Sequence, residues 1–238
     1  MKFLSRLCAY LMTAAVCAVS SCSGHKINKA SDDYIRERVV QLDSRHGACS
    51  GIKIKSDDGN AYIMTAAHCK VLIDNGLITA YDDSYIRHQV KVVEIDEVND
   101  LMLLTSFDNE GIEIAKNTSP HQHVRALTHG ARLPTYKTEG ELIEEKEIQV
   151  GEAYIMTEEQ QKECLSLPGR SIEMMPRLRC LCVHNIREVI STAMVVPGSS
   201  GGPVLDDNGK LAGIVSITMG MFSGFVPLHA IQDLMKNR

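Results

Sequence analysis

Short runs of alternating apolar and polar residues, joined by tight turns, constrain the fold of this chain most. Gly51 to Lys55 alternates, Asp57 to Asn60 is a turn, and Ala61 to Ala66 runs back, which indicates a β-hairpin. A second hairpin consists of Pro203 to Leu205, the turn Asp206 to Gly209, and the strand Leu211 to Thr218. Its Asn-Gly pair is a strong turn signal. Many short strands at such intervals predict an all-β fold, either a barrel or a sandwich.

Helices are few in the predicted pattern. Gln89 to Ile95 and Leu101 to Ser106 indicate two more strands. Thr157 opens a capping-box pattern, which predicts a helix that stops before Pro168. A terminal helix is predicted from Leu228 to Asn237, because its apolar residues share one face. The helices are therefore expected at the periphery of a fold made mainly of strands.

The first residues have the pattern of an export signal. Lys2 and Arg6 give a positive start, and a short apolar run follows from Leu7 to Val19. Val19-Ser20-Ser21-Cys22 also resembles the bacterial lipobox, so Cys22 is the candidate lipidation site. We predict a signal peptide over residues 1–21, a polar tether over 22–34 and a folded domain over 35–238. The lipid would hold the protein on a bacterial membrane, facing the periplasm or the exterior; cleavage without lipidation would leave it secreted.

Charge and hydropathy limit the partners of the chain. Its 238 residues carry a formal net charge of -5, whereas a nucleic-acid partner would require a basic face. No second hydrophobic stretch of the sequence is long enough to span a bilayer, so membrane contact is expected through a lipid anchor only.

The cysteines and histidines do not predict a metal site. Cys180-Leu181-Cys182-Val183-His184 has the spacing of metal ligands, but alternation on a strand gives the same pattern and no fourth ligand is evident. We therefore expect no metal and no cofactor. An exported chain can form disulfides, and the pairing among Cys164, Cys180 and Cys182 stays open.

Three separate stretches contain the residue types of nucleophilic catalysis. His68 ends one apolar strand, and Asp100 begins another. The glycines of Gly198-Ser199-Ser200-Gly201-Gly202 allow successive backbone N–H groups to point into one cavity. A serine becomes a nucleophile when a base removes its proton, a carboxylate holds the base and donors await the oxyanion. Together the three stretches could supply all four parts.

These stretches resemble the motifs of trypsin-like serine proteases. Thr65-Ala66-Ala67-His68-Cys69 is similar to their histidine motif, Gly198-Ser199-Ser200-Gly201-Gly202-Pro203 to their serine motif, and the order His, Asp, Ser is the same. The HtrA type is the most similar pattern within the family. Asp96-Glu97-Val98-Asn99-Asp100-Leu101 resembles its aspartate motif, and Gly224-Phe225-Val226-Pro227-Leu228 resembles the segment before its last helix.

The resemblance implies two six-stranded antiparallel β-barrels, over residues 35–120 and 121–238, with a C-terminal helix. It implies a serine endopeptidase that cleaves proteins or peptides through an acyl-enzyme. Ser200 would be the nucleophile, His68 the general base and Asp100 the residue that orients His68. The backbone N–H groups of Gly198 and Ser200 would form the oxyanion hole. The family's disulfide beside the catalytic histidine would join Cys49 to Cys69.

Two departures from the digestive proteases have consequences for regulation and specificity. Those enzymes have an aspartate before the nucleophile that pairs with a newly cut N-terminus. Ser199 stands there in this chain, so we expect no such activation. The base of the specificity pocket would be Met194, and its wall would include Ser216 and Thr218. Such a pocket would favour a small or medium apolar residue before the scissile bond.

Other features of the HtrA proteases are not expected here. Those enzymes usually append a peptide-binding PDZ domain and trimerise, but this chain ends directly after the predicted terminal helix, and its oligomeric state stays open. The alternative to an enzyme is an exported binding or adhesion protein that keeps the barrels and has lost efficient catalysis.

Overall fold

The computed structural model describes residues 29–130, 134–154, 162, 170–175, 179–219, 221–236 and 238. The predicted signal peptide, Cys22 and Cys164 lie outside these ranges, and so does the helix predicted from Thr157, apart from Lys162. No helix among the described residues is both long enough and apolar enough to cross a membrane.

The first half of the chain forms a closed antiparallel barrel of six strands. They are β1 Val39–Ser44, β2 Gly47–Lys55, β3 Ala61–Thr65, β4 Leu77–Tyr81, β5 Arg87–Asp96 and β6 Leu101–Thr105. The hydrogen-bonded order is β1-β2-β3-β6-β5-β4, and β4 closes the barrel by pairing with β1. The hairpin predicted from the sequence is β2–β3, in register with Ile52 opposite Met64. Gly59 makes its turn with a φ of 84°, a conformation that side chains disfavour.

The second half forms the other barrel. Its strands are β7 His123–Thr128, β8 Tyr136–Tyr154, β9 Arg170–Met175, β10 Arg179–Ser191, β11 Pro203–Leu205, β12 Leu211–Met219 and β13 Phe222–Val226. Six of them run in the order β13-β12-β11-β7-β8-β10, and pairing of β10 with β13 closes the ring. Strand β9 adds to β10 beyond the ring. The predicted fold of two six-stranded antiparallel barrels is confirmed, and the metal-like cysteine spacing falls on strand β10.

Three apolar clusters fill and join the barrels. One lies inside each barrel, and a third unites residues of both with the terminal helix. This third cluster includes Ile52 and Leu103 of the first barrel, Ile214 and Val226 of the second, and Ile231. Burial of so many aliphatic side chains, each worth about 1.5 to 3 kcal/mol, holds the two barrels against each other. Loops that face each other across this contact are thereby fixed in place.

Two helices flank the barrels. The predicted terminal helix is present as α2, Leu228–Met235, after an extended Pro227. Helix α1, Lys29–Arg36, begins inside the segment that the sequence predicted to be a polar tether. Asp32 of this helix forms ion pairs with Arg125, at 2.9 Å, and with Lys137, at 3.0 Å. The end of the tether segment is therefore helical and docked on the second barrel.

Candidate active site

His68 lies just after β3, in a short 3-10 helix that spans Ala67–Leu72. Its side chain is 34% exposed, so the ring stands at the rim of the first barrel. The next residue, Cys69, forms a disulfide with Cys49 of β2, with 6.3 Å between the two Cα atoms. This bridge pairs the cysteines that the resemblance implied, and it ties the helix that carries His68 to the barrel wall.

Asp100 ends the tight turn between β5 and β6. It has a φ of 53°, which is uncommon for a residue with a side chain. Asp96 stabilises the turn by accepting hydrogen bonds from the backbone N–H groups of Val98 and Asn99, each at 3.1 Å. The carbonyl oxygen of Asp100 also accepts a bond of 3.1 Å from the backbone of Ala67. The turn is thus attached directly to the segment that carries His68.

Both oxygens of the Asp100 carboxylate accept hydrogen bonds. Oδ1 accepts the backbone N–H of His68 at 2.9 Å, and Oδ2 lies 2.9 Å from His68 Nδ1. The hydroxyl of Ser216, on the second barrel, donates to Oδ2 at 2.7 Å. Burial acts to raise the pKa of Asp100, but the charge of His68 and the bonds from His68 and Ser216 outweigh it and hold this pKa below its ordinary value. The carboxylate is therefore fixed and ionised.

Ser200 lies in the loop before β11. Its hydroxyl donates to the carbonyl oxygen of Ser216 at 3.3 Å, so Ser216 contacts both Asp100 and Ser200. Gly198 has a φ of 94° and Gly201 a φ of 83°. A Cβ on Gly201 would overlap the hydroxyl of Thr65 and the carbonyl oxygen of Ser50, so this position requires glycine.

The N–H groups of Gly198 and Ser200 have no backbone hydrogen-bond partner within the described parts of the chain. Ser50, which lies on β2 of the first barrel, binds the loop that carries Gly198 and Ser200. Its N–H donates to the carbonyl oxygen of Ser200 at 2.8 Å, and its hydroxyl donates to that of Gly198 at 3.0 Å. Because both carbonyls are bound on this side, the loop is braced against the first barrel. The sequence analysis missed the role of Ser50, and no motif pointed to it.

Ser199 is buried, with 1% of its surface exposed. Its hydroxyl receives a bond of 3.0 Å from Thr128 and makes a short bond to the hydroxyl of Tyr136. The backbone N–H of Val196 in turn donates to Tyr136 Oη at 3.0 Å and to Ser199 Oγ at 3.3 Å. Neutral hydroxyls thus stabilise the loop before Ser200, at the position where the digestive enzymes use an aspartate.

The residues predicted to form the specificity pocket differ in their exposure. Ser216 is buried, whereas Thr218 is exposed and Met194 is 56% exposed. The preference for a small or medium apolar residue before the scissile bond, which follows from Met194, stays a prediction.

A buried acid that the sequence analysis missed, Glu188, lies near Ser216. Glu188 of β10 is 1% exposed, and its Oε2 has no hydrogen-bond partner among the described residues. Burial raises the pKa of Glu188, and the charge of Asp100 raises it further; a bond with Ser216 offsets part of this, leaving a pKa of about 8. In the sequence, the signal for the burial of Glu188 was its spacing of two residues from the apolar Ile190, which places the two side chains on one face of a strand.

Solved structures of similar fold are serine proteases. The inactive form of Rv3671c from M. tuberculosis H37Rv, carrying a serine-to-alanine mutation, aligns at 18% identity with a TM-score of 0.63, over 92% of this chain and 95% of that one. The active form of Rv3671c gives 18% identity, a TM-score of 0.63, and coverage of 90% and 86%. The serine endoprotease from Yersinia pestis gives 20% identity, a TM-score of 0.61, and coverage of 88% and 65%. At these identities the likeness shows a shared fold.

The sequence itself matches a protein family. No curated protein matches the chain. Residues 49–214, which contain His68, Asp100 and Ser200, match the family described as Trypsin-like peptidase domain. The chain therefore belongs to the trypsin-like peptidase family, the serine endopeptidases of the chymotrypsin fold.

Proposed function

We propose that Ser200, His68 and Asp100 are the catalytic triad of an exported endopeptidase that cleaves peptide bonds through an acyl-enzyme. The observation that carries the proposal is the Asp100 carboxylate, which binds His68 through Nδ1 at 2.9 Å and through its backbone N–H at 2.9 Å. In this mechanism Nε2, on the other side of the ring, is the nitrogen that accepts the proton of Ser200. Ser216 links the carboxylate to the loop of the nucleophile.

In the acylation step, Ser200 Oγ attacks the carbonyl carbon of the scissile bond while its proton moves to His68 Nε2. The carbonyl oxygen becomes an oxyanion, which the N–H groups of Gly198 and Ser200 stabilise. As the intermediate collapses, the C–N bond breaks and His68 gives its proton to the leaving amine. The ionised Asp100 stabilises the imidazolium that exists between the two transfers.

In deacylation, water replaces the amine. His68 takes a proton from the water, the resulting hydroxide attacks the ester carbon, and the same two N–H groups stabilise the second oxyanion. Collapse breaks the bond to Ser200 Oγ, which recovers its proton from His68. The products are a carboxylic acid and the regenerated hydroxyl, so the cycle needs neither a metal nor a cofactor.

Export and anchoring also belong to this proposal. The charged and apolar pattern of residues 1–21 and the lipobox-like ending at Cys22 support secretion followed by lipidation. The disulfide between Cys49 and Cys69 agrees with an oxidising compartment, where such bridges persist. Mass spectrometry of the mature protein tests this part: a diacylated or triacylated N-terminal cysteine at position 22 is expected, and an unmodified N-terminus would contradict it.

Labelling with a fluorophosphonate probe tests the triad. The probe reacts with activated serines, so we expect the wild-type chain to label and both Ser200→Ala and His68→Ala to abolish labelling. Ser84→Ala, which changes an exposed serine of the first barrel, is the matched control and should label like the wild type. A folded protein that does not label would instead be a binding protein with an inactive protease fold.

A further inference from the structure

Two buried acids share the hydroxyl of Ser216. This hydroxyl donates to Asp100 Oδ2 at 2.7 Å, and it also bonds with the carboxyl of Glu188, which is 1% exposed. Strand β13 covers that carboxyl: a Cβ built on Gly224 would lie 3.1 Å from Glu188 Oε2, so the glycine leaves the space that the carboxyl fills. The two acids and the hydroxyl therefore form one connected group between β10 and the proposed triad.

The hydrogen bonds determine which of the two acids holds a proton. Asp100 accepts three of them, from the backbone and Nδ1 of His68 and from Ser216. Ser216 is the one described side chain that bonds with Glu188, and Glu188 Oε2 has no partner among the described residues. A buried carboxylate needs donors, and a second negative charge beside Asp100 is costly. Asp100 is therefore the ionised acid, and the proton stays on Glu188.

The strands around Glu188 bring no cation to its carboxyl within the described parts of the chain. Strands β12 and β13 contain no ionisable residue. Lys146 stands opposite Glu188 on β8, but it is exposed and its Nζ pairs with Glu144 at 3.4 Å. Arg187, the neighbour on β10, is also exposed and pairs with Glu145 at 3.7 Å. Asp100 is thus the charged group that acts on Glu188.

Resting on the proposed function, we infer that Glu188 is a positioning residue of the active site, a neutral acid that donates a hydrogen bond to Ser216 Oγ while Ser216 donates to Asp100. The donation from Glu188 polarises the hydroxyl of Ser216 and strengthens its bond to the carboxylate. It also fixes the direction of that hydroxyl, because the acceptor left for its single hydrogen is Asp100. A chain of hydrogen bonds then runs from Glu188 to His68.

Loss of the proton from Glu188 would weaken this chain. The ionised carboxylate is an acceptor, so it competes with Asp100 for the single hydrogen of Ser216. Asp100 then holds His68 less firmly, and activity falls. Burial and the charge of Asp100 raise the pKa of Glu188 to about 8, which places the change in mildly alkaline solution. The site therefore has an alkaline limit that comes from a residue outside the proposed triad.

The pH dependence of peptide cleavage tests this inference. We expect kcat/KM of the wild type to fall roughly 10-fold above about pH 8, the effect of losing one hydrogen bond to a charged group. Glu188→Gln keeps the shape of the side chain, and its amide donates to Ser216 at every pH, so this fall should be absent. Glu144→Gln changes an exposed acid on β8 and is the matched control, which should keep the wild-type profile.

Two results would overturn the inference. One is a wild type whose kcat/KM stays level from about pH 8 to about pH 10. The other is a Glu188→Gln protein that keeps the alkaline fall. If Glu188→Gln does not fold, as judged by circular dichroism, Ser216→Ala gives a second test, because it removes the hydroxyl for which the two acids compete. The alkaline fall should be absent from Ser216→Ala, and its persistence would count against the inference.

A measurement without turnover separates this inference from the proposed function. In the Ser200→Ala protein, proton NMR follows the hydrogen between His68 Nδ1 and Asp100 as the pH is raised. Its chemical shift should change with a midpoint near pH 8, and the double variant with Glu188→Gln should lose this step. A wild type that labels with fluorophosphonate, but whose Ser200→Ala variant shows no step, keeps the proposed function and overturns the inference. A step in a protein that does not label keeps the inference about Glu188 and contradicts catalysis.

Discussion

The hydroxyl of Ser216 donates to Oδ2 of Asp100 at 2.7 Å, and so connects the second barrel to a carboxylate of the first. This bond is one of the causes that hold the pKa of Asp100 below its ordinary value. Ser216 is therefore a positioning residue: it keeps Asp100 ionised and in place for His68 without contacting the reacting bond through its hydroxyl.

Ser216→Ala removes that donor. Since a hydrogen bond to a charged group is worth about 1.5 to 3 kcal/mol, we expect kcat/KM to fall about 10- to 100-fold. The pKa of Asp100 should rise, because one of the bonds that lower it is lost, so the loss of activity should be greatest at acidic pH, where the variant's Asp100 takes up a proton first. Ser216→Thr keeps a hydroxyl and should recover part of the activity. A uniform loss at all pH values would indicate a general structural defect instead.

The hydroxyls of Ser199, Tyr136 and Thr128 should contribute to stability as a unit. Ser199→Ala leaves buried partners unsatisfied, which should cost about 1 to 3 kcal/mol of the free energy of unfolding. Thermal denaturation of Ser199→Ala, Tyr136→Phe and the double variant measures this. We expect the double variant to lose less than the sum of the two single losses, because they share one hydrogen bond. Strict additivity would show that the two hydroxyls act independently.

The disulfide between Cys49 and Cys69 should be a large local contribution to stability. It closes a loop with a sequence separation of 20, for which the constraint on the unfolded chain is worth about 3 kcal/mol. The variant with both cysteines changed to alanine should melt about 6 to 12 °C below the wild type. Reductant should lower the melting temperature of the wild type toward that of the variant. If reductant lowers both equally, the effect arises from other cysteines.

Glu188 should make the protein less stable as the pH rises. Its pKa is about 8 in the folded state, above the ordinary value of 4.5, so between these values the folded chain holds a proton that the unfolded chain has released. The free energy of unfolding then falls with increasing pH, by at most about 1.4 kcal/mol per pH unit. Chemical denaturation from pH 5 to about pH 8 should show this slope in the wild type and lose it in Glu188→Gln. Asp100, whose pKa is lowered, affects the free energy of unfolding at pH values below this range.

Local signals in the sequence were sufficient to predict the hairpins and an all-β fold, and the resemblance to trypsin-like proteases implied the two barrels and the three candidate site residues. The β2–β3 and β11–β12 hairpins follow from alternation and turn chemistry within about 15 residues of chain. His68, Asp100 and Ser200 each lie in a short motif at the end of such an element. The hairpins depend on residues that are neighbours in the sequence, and the sequence predicted them for that reason.

The features that the sequence did not predict depend on contacts between distant segments. Glu188 follows Arg187 in a polar stretch, and its burial results from the pairing of β10 with β13. Helix α1 falls in the predicted tether because its docking depends on Asp32, whose partners Arg125 and Lys137 lie about 100 residues away.

If Cys22 carries a lipid, as proposed, the docking of α1 through Asp32 would also limit how far the enzyme can act from a membrane. From Cys22 to Lys29 there are seven residues, which even fully extended reach only about 25 Å. The start of α1 would then stay within that distance of the headgroups. The cleft would then stay close to the bilayer. Segments of other membrane-attached proteins would be present there at a far higher local concentration than freely diffusing chains.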